Sequence, residues 1–261
     1  MTIRSGMKTL LSSLPAETSA ATADASSSWT GAMKRIIAIG GGELRERSTL
    51  KIDEYLAELA KSHAGDKRAC ALFIPTASHD FMPYYNTFHK VYTGGFDIKT
   101  DVALTVFKDV DMEKMTAKFQ KVDLIYVGGG DTVFMIEHWK KVGLLPLIED
   151  AYERGVPIAG LSAGGICWFS DIYTDSLKTE TGNAYAMFKG LGWLDGVVSP
   201  HYNERVADFD KIVQENFDSA YGIENDSAML FEDGKFVKAL SSGGDVYELK
   251  RENGSLKKQI L

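Results

Sequence analysis

From Arg35 onward the chain alternates between short, continuous apolar runs and longer segments whose apolar residues recur every three or four positions. Arg35 to Ile39, Ala69 to Pro75, Phe96 to Leu104, Val122 to Val127 and Val156 to Gly160 read as strands. Helices are marked by Ile52, Leu56, Leu59 and Ala60; by Tyr84, Phe88 and Val91; by Met112 to Phe119; by Val133, Ile136 and Trp139; and by Leu145 to Tyr152. Strands that are apolar along their whole length are covered on both faces, and their alternation with helices predicts an α/β fold with a mainly parallel central sheet.

The later part changes style. Ile166-Cys167-Trp168-Phe169 is apolar enough to open a helix, whereas Asp171 to Gly190 reads as a long polar loop. Val197 to Tyr202 is a further strand, followed by a helix through Phe209, Ile212, Val213 and Phe217. Ser227 to Phe231, Phe236 to Leu240 and Val246 to Leu249 are short strands with Glu232-Asp233-Gly234 and Glu252-Asn253-Gly254 as turn signals, so C-terminal β-hairpins finish the domain. Residues 1–32 are rich in Ser, Ala and Thr, without apolar periodicity. They read as a disordered extension or an expression leader, which leaves 33–261 as the folded domain.

Composition narrows the partners. Hydrophobic content of 44% and charged content of 25% are ordinary for a globular protein, and 261 residues suffice for one large core. A net charge of −7 without a dense Lys/Arg stretch disfavours nucleic acid and anionic membranes, and no apolar run is long enough to cross a bilayer. Cys70 and Cys167 both lie in apolar surroundings, which suggests buried thiols in a reducing, cytoplasmic setting. Neither H-E-x-x-H nor a Cys/His pair at ligand spacing occurs, so neither a metal nor another cofactor is expected.

Three strand ends carry glycines. Gly40-Gly41-Gly42 resembles a dinucleotide turn, but the third glycine of that fingerprint falls on Arg45. Gly128-Gly129-Gly130-Asp131 could aim backbone N–H groups at a ligand, or could be only a tight connection. Gly160-Leu161-Ser162-Ala163-Gly164 fits G-x-S-x-G, in which a strained strand-to-helix turn holds a serine hydroxyl outward, with the Ala163 N–H beside it for an oxyanion; the bland alternative is a tight glycine turn with Ser162 capping the helix. A nucleophilic serine needs a base. Of five histidines, His201 and His79 follow strands at the edge where open α/β sheets place their sites, and His201 ranks first because it comes on the strand after the serine. The histidine in turn needs an acceptor, for which Asp171, Asp175, Glu204, Glu224 and Asp226 are all candidates by spacing.

Taken as an ordered set, Ile74 to Ser78, Ile125 to Thr132, Gly160 to Gly164, Ser199-Pro200-His201-Tyr202 and Gly222 to Ala228 resemble the peptidase E and cyanophycinase family of serine peptidases. The resemblance runs from about Met33 to the C-terminus. It implies a three-layer, glutamine amidotransferase-like sandwich and an exopeptidase of short peptides, monomeric or homodimeric, with cyanophycinase-like β-aspartyl hydrolysis or a non-catalytic binding module as the alternatives. It implies Ser162 as nucleophile, His201 as base, and oxyanion donors from Gly129 or Gly130 and from Ala163. Asp175 is the preferred acid, with Glu224 or Asp226 as alternatives. Asp131 stands where aspartyl dipeptidases of the family carry asparagine, so an Asp131 side chain facing the substrate would discourage an acidic N-terminal residue.

Overall fold

The computed structural model describes residues 32–261, so the extension read over residues 1–32 lies, except for Ala32, outside the described residues. The first half alternates as its apolar runs predict: β1 (Arg35–Ile39), α1 (Leu50–Ala64), β2 (Cys70–Ile74), α2 (Met82–Phe96), β3 (Lys99–Val102), α3 (Met112–Phe119), β4 (Leu124–Val127), α4 (Thr132–Val142), α5 (Leu145–Glu153) and β5 (Ile158–Leu161). These strands pair in parallel in the order β1-β5-β4-β2-β3. Their side chains divide between two cores by the period of two that a strand imposes. Ile37, Ile39, Phe73 and Tyr126 pack under α1 and α2, while Ile36, Ala38, Leu72 and Ile125 pack on the opposite face with Phe119, Trp139 and Ile148 of α3, α4 and α5.

Beyond β5 come α6 (Ala163–Ile166), β6 (Phe169–Thr174), α7 (Lys178–Thr181), β7 (Ala186–Lys189), β8 (Leu194–Ser199), α8 (Tyr202–Asn216), β9 (Ser219–Ile223), β10 (Ser227–Glu232), β11 (Lys235–Ser241), β12 (Val246–Glu252) and β13 (Ser255–Ile260). The β10-β11 hairpin adds antiparallel to β1 and completes a seven-stranded sheet. A second, six-stranded sheet runs β13-β12-β9-β8-β6-β7. One of its faces shares the core of the first sheet through Phe169, Ile172, Val198 and Ile223, and the other is covered by Phe209 and Val213 of α8.

Three local expectations change. The helix after the serine is only one turn long, because the carbonyls of Cys167 and Trp168 accept from Leu191 and Leu194 N–H instead of continuing it. The stretch from Asp171 to Gly190, expected as a polar loop, contains most of β6 and all of β7. Its charges are cross-strand partners: Asp171 lies opposite Lys189, and their side chains meet at 2.6 Å. α2 extends through Gly94 and Gly95 to Phe96, the residue expected to begin β3, which starts only at Lys99.

Asp53 of α1 is 1% exposed and accepts hydrogen bonds from Thr49 Oγ1 at 2.7 Å and Tyr92 OH at 2.8 Å. Burial pushes its carboxyl up to about 6, with the two hydroxyls offsetting only part of the desolvation. The folded state therefore holds this proton more tightly than the unfolded chain, so the Asp53 contribution to stability falls as pH rises from about 4 to about 6, by on the order of 3 kcal/mol. Urea unfolding of Asp53→Asn should lose this part of the pH dependence and show the variant more stable than the native chain at pH 7. An unchanged pH slope would refute the assignment.

Candidate active site

β5, the strand before the serine, lies between β1 and β4, so the three glycine-bearing strand ends sit side by side with the G-x-S-x-G turn in the middle. The chain leaves β5 through Ser162 at φ 51°, ψ −113°, a conformation that costs a non-glycine residue on the order of 1–3 kcal/mol. Backbone bonds hold it there: Ser162 N–H donates to Ile39 O at 2.8 Å, and Ser162 O accepts from Gly165 and Ile166 N–H. Both motif glycines are obligatory. A Cβ on Gly160 would stand 2.1 Å from Gly164 O, and one on Gly164 would stand 2.3 Å from Val127 O.

His201 follows β8 at the head of α8, at φ 48°, with its N–H bonded to Gly40 O at 3.0 Å. Its Nε2 is 2.8 Å from Ser162 Oγ, and its Nδ1 is 2.6 Å from Oδ1 of Asn225, which lies in the turn between β9 and β10. The Asn225 Nδ2 donates to Glu204 Oε1 at 2.6 Å. This last contact orders the others. A carboxylate oxygen only accepts, so the amide NH2 faces Glu204 and the amide oxygen faces the ring. Nδ1 then carries the hydrogen, leaving Nε2 as the acceptor for the serine hydroxyl.

The other residues singled out by sequence have different company. Asp175 lies 3.7 Å from Arg205, with no contact to His201. Glu224 Oε2 accepts from Asp245 N–H, Asp226 Oδ1 accepts from Ser48 Oγ, and Asp171 pairs with Lys189. Of the five acids, Glu204 is the one within 4.0 Å of the ring. His79 packs against Phe134 with ring centroids 4.1 Å apart. Asp131 turns its carboxylate to the Phe134 N–H and caps α4, instead of lining the cavity beside Ser162.

Gly129 and Gly130 border the serine: a Cβ on Gly129 would lie 3.5 Å from Ser162 Cβ. Gly129 N–H donates to Tyr84 OH at 3.3 Å, whereas the N–H groups of Gly130 and Ala163 meet no acceptor among the described residues. Ser162 and His201 open onto a cavity of about 550 Å³. Leu44, Phe81, Pro83, Tyr84 and Leu161 give it apolar walls, and Glu43 and Arg45 bring charge of both signs. No group of three or more His, Cys, Asp or Glu is placed to hold a metal ion, and no helix is long and apolar enough to cross a membrane, among the described residues.

The family model of peptidase family S51 matches residues 36–239. The chain belongs to peptidase family S51. This S51 peptidase is 33% identical to the uncharacterized peptidase YgaJ of Bacillus subtilis (strain 168), over 80% of its own length and 88% of the relative. It is 24% identical to peptidase E of Streptomyces coelicolor, over 68% and 84% of the two chains. In fold it is similar to a crystal structure of a peptidase from an acI-B1 Actinobacterium, with TM-score 0.69, 20% identity, and coverage of 88% of this chain and 95% of that one. The resemblance read from its motifs is therefore one of family, and the three-layer α/β architecture goes with it.

Two parts of the S51 peptidase's candidate site, Asn225 and Gly41, carry little signal in the sequence. Asn225 bears no charge and so gives no signal of a triad acid, although it sits within the motif Gly222 to Ala228. Gly41 lies in a loop that resembles a dinucleotide turn, yet its role is to make room. A Cβ there would come 2.0 Å from Asn225 Oδ1 and 2.4 Å from His201 Nδ1. Gly41→Ala should therefore lower kcat/KM for peptide hydrolysis about 100-fold, since misplacing a catalytic group by an ångström costs that much. Its melting temperature should change by only a few degrees. Undiminished turnover would show that the ring and amide do not need this space.

Proposed function

We propose that this chain is a serine exopeptidase of short peptides, hydrolysing them through an acyl-enzyme on Ser162. The observation that carries the reading is the 2.8 Å contact of Ser162 Oγ with an imidazole nitrogen whose hydrogen is directed to the far side of the ring. His201 Nε2 takes the hydroxyl proton as Oγ attacks the scissile carbonyl. The carbonyl oxygen becomes an oxyanion and is held by the Gly130 and Ala163 N–H groups. His201 then gives the proton to the leaving amine, the C–N bond breaks, and water, deprotonated by the same nitrogen, releases the acid and restores the serine.

In this reading the third member is an amide. Asn225 orients the ring and fixes its tautomer without placing a full negative charge against the imidazolium, and Glu204 supplies that charge one hydrogen bond further out. Asp175, preferred from the resemblance, is replaced in this role. Substrate length follows from the cavity, whose roughly 550 Å³ lies within the range of about 300–1,000 Å³ that holds drug-sized ligands. With Asp131 engaged as a helix cap, nothing from that position selects against an acidic residue, and the apolar walls favour uncharged side chains.

Ser162→Ala should fold normally and lose nearly all dipeptide hydrolysis; retained turnover would end the proposal. Asn225→Ala should lower kcat by about 100-fold or more, because the ring loses the partner that fixes its tautomer. The same loss in Asp175→Ala, with Asn225→Ala unaffected, would return the acid to Asp175. A dipeptide library assayed with both variants reads the two outcomes together.

A further inference from the structure

Tyr84 stands in the first turn of α2 and is one of the walls of the cavity that holds Ser162 and His201. Its ring lies over the glycine loop after β4. A Cβ on Gly128 would be 2.9 Å from Tyr84 Cε1, and Phe73 meets the ring edge to face with centroids 5.0 Å apart. The ring is thus fixed from both sides, and its hydroxyl is fixed as well, by accepting from Gly129 N–H at 3.3 Å.

That bond has two consequences. It occupies Gly129 N–H, which leaves Gly130 as the loop's available donor. It also uses the acceptor side of the phenol oxygen, so what the hydroxyl can still offer is its own hydrogen, which reaches no acceptor among the described residues. We propose that the Tyr84 hydroxyl donates a hydrogen bond to the oxyanion formed on Ser162, as a third donor beside Gly130 and Ala163 N–H. The inference rests on the acyl-enzyme reading above. No proton changes owner: the O–H bond stays intact and the hydrogen bond strengthens as charge develops on the carbonyl oxygen.

The surroundings keep the phenol protonated. Glu43 and Arg45 of the loop after β1 and His201 line the same cavity as the phenol, and Asp53 of α1 and Tyr126 of β4 are near enough to couple to it electrostatically. Burial, with Glu43 and Asp53 adding to it and the Gly129 bond opposing it, pushes the hydroxyl up to about 12.

Tyr84→Phe keeps the ring and removes the hydroxyl. It should lower kcat about 100-fold with KM within about 2-fold, the pattern of an interaction made in the transition state. Native kcat in this variant would overturn the proposal. A second variant separates donation from propping of the loop. A ring-fluorinated tyrosine placed at position 84 is more acidic, and should bring in an alkaline loss of kcat/KM at a pH where the native enzyme is still active. A hydroxyl needed only as acceptor for Gly129 N–H would bind better as phenolate, so activity that persists or rises through that ionisation would also overturn the proposal. Ser162→Ala, run alongside, isolates the parent reading: an active Ser162→Ala removes the acyl-enzyme itself, whereas an inactive one with a native-like Tyr84→Phe removes only the third donor.

Discussion

The structure turns on one crowded crossing, where the end of β5 and the turn after it pass close to the backbone of β1 and β4. Gly160 lies against Gly164 O, Gly164 against Val127 O, and Gly165 against Ile39 O, each closer than any side chain allows. With that contact made, Ser162 has little choice of conformation. Its N–H is bonded to β1, its carbonyl caps a single helical turn, and its hydroxyl is left at the carboxyl edge of the sheet. The local strain is borne by a parallel sheet whose neighbouring strands are buried on both faces.

Everything that meets the hydroxyl arrives by the same topology. β1 and β4 flank β5, so their glycine loops flank the serine, one making room for the histidine and asparagine and the other presenting N–H groups. The second sheet brings His201 from the end of β8 and Asn225 from the turn after β9, strands that pair in parallel and therefore end together. Glu204, one helical turn beyond His201 on α8, closes the chain of hydrogen bonds. Much of the polar function thus comes from loops, and its precision comes from the strands that end in them.

Much of this was legible in the chain itself. The parallel sheet followed from apolar runs too continuous for a half-exposed sheet, and the serine followed from glycines that the close backbone contacts at Gly160 and Gly164 require. What was hidden had physical causes. In the second sheet β6 and β7 were hidden because their charges satisfy each other across the ladder, as Asp171 and Lys189 do, and so imitate a loop. Asn225 was hidden because a search for charge overlooks an amide whose charge sits one residue further away, on Glu204. Asp131 reads as a substrate contact from its loop, but the residue before a helix has a stronger local use, as a cap.

In the proposed mechanism the imidazole beside Ser162 activates its hydroxyl. A fluorophosphonate probe followed by peptide mass mapping measures this directly, because phosphonylation needs an activated serine. A single adduct is expected on Ser162 in the native chain, and its disappearance in His201→Ala. An adduct on another residue, or one that forms at an undiminished rate without His201, would contradict it.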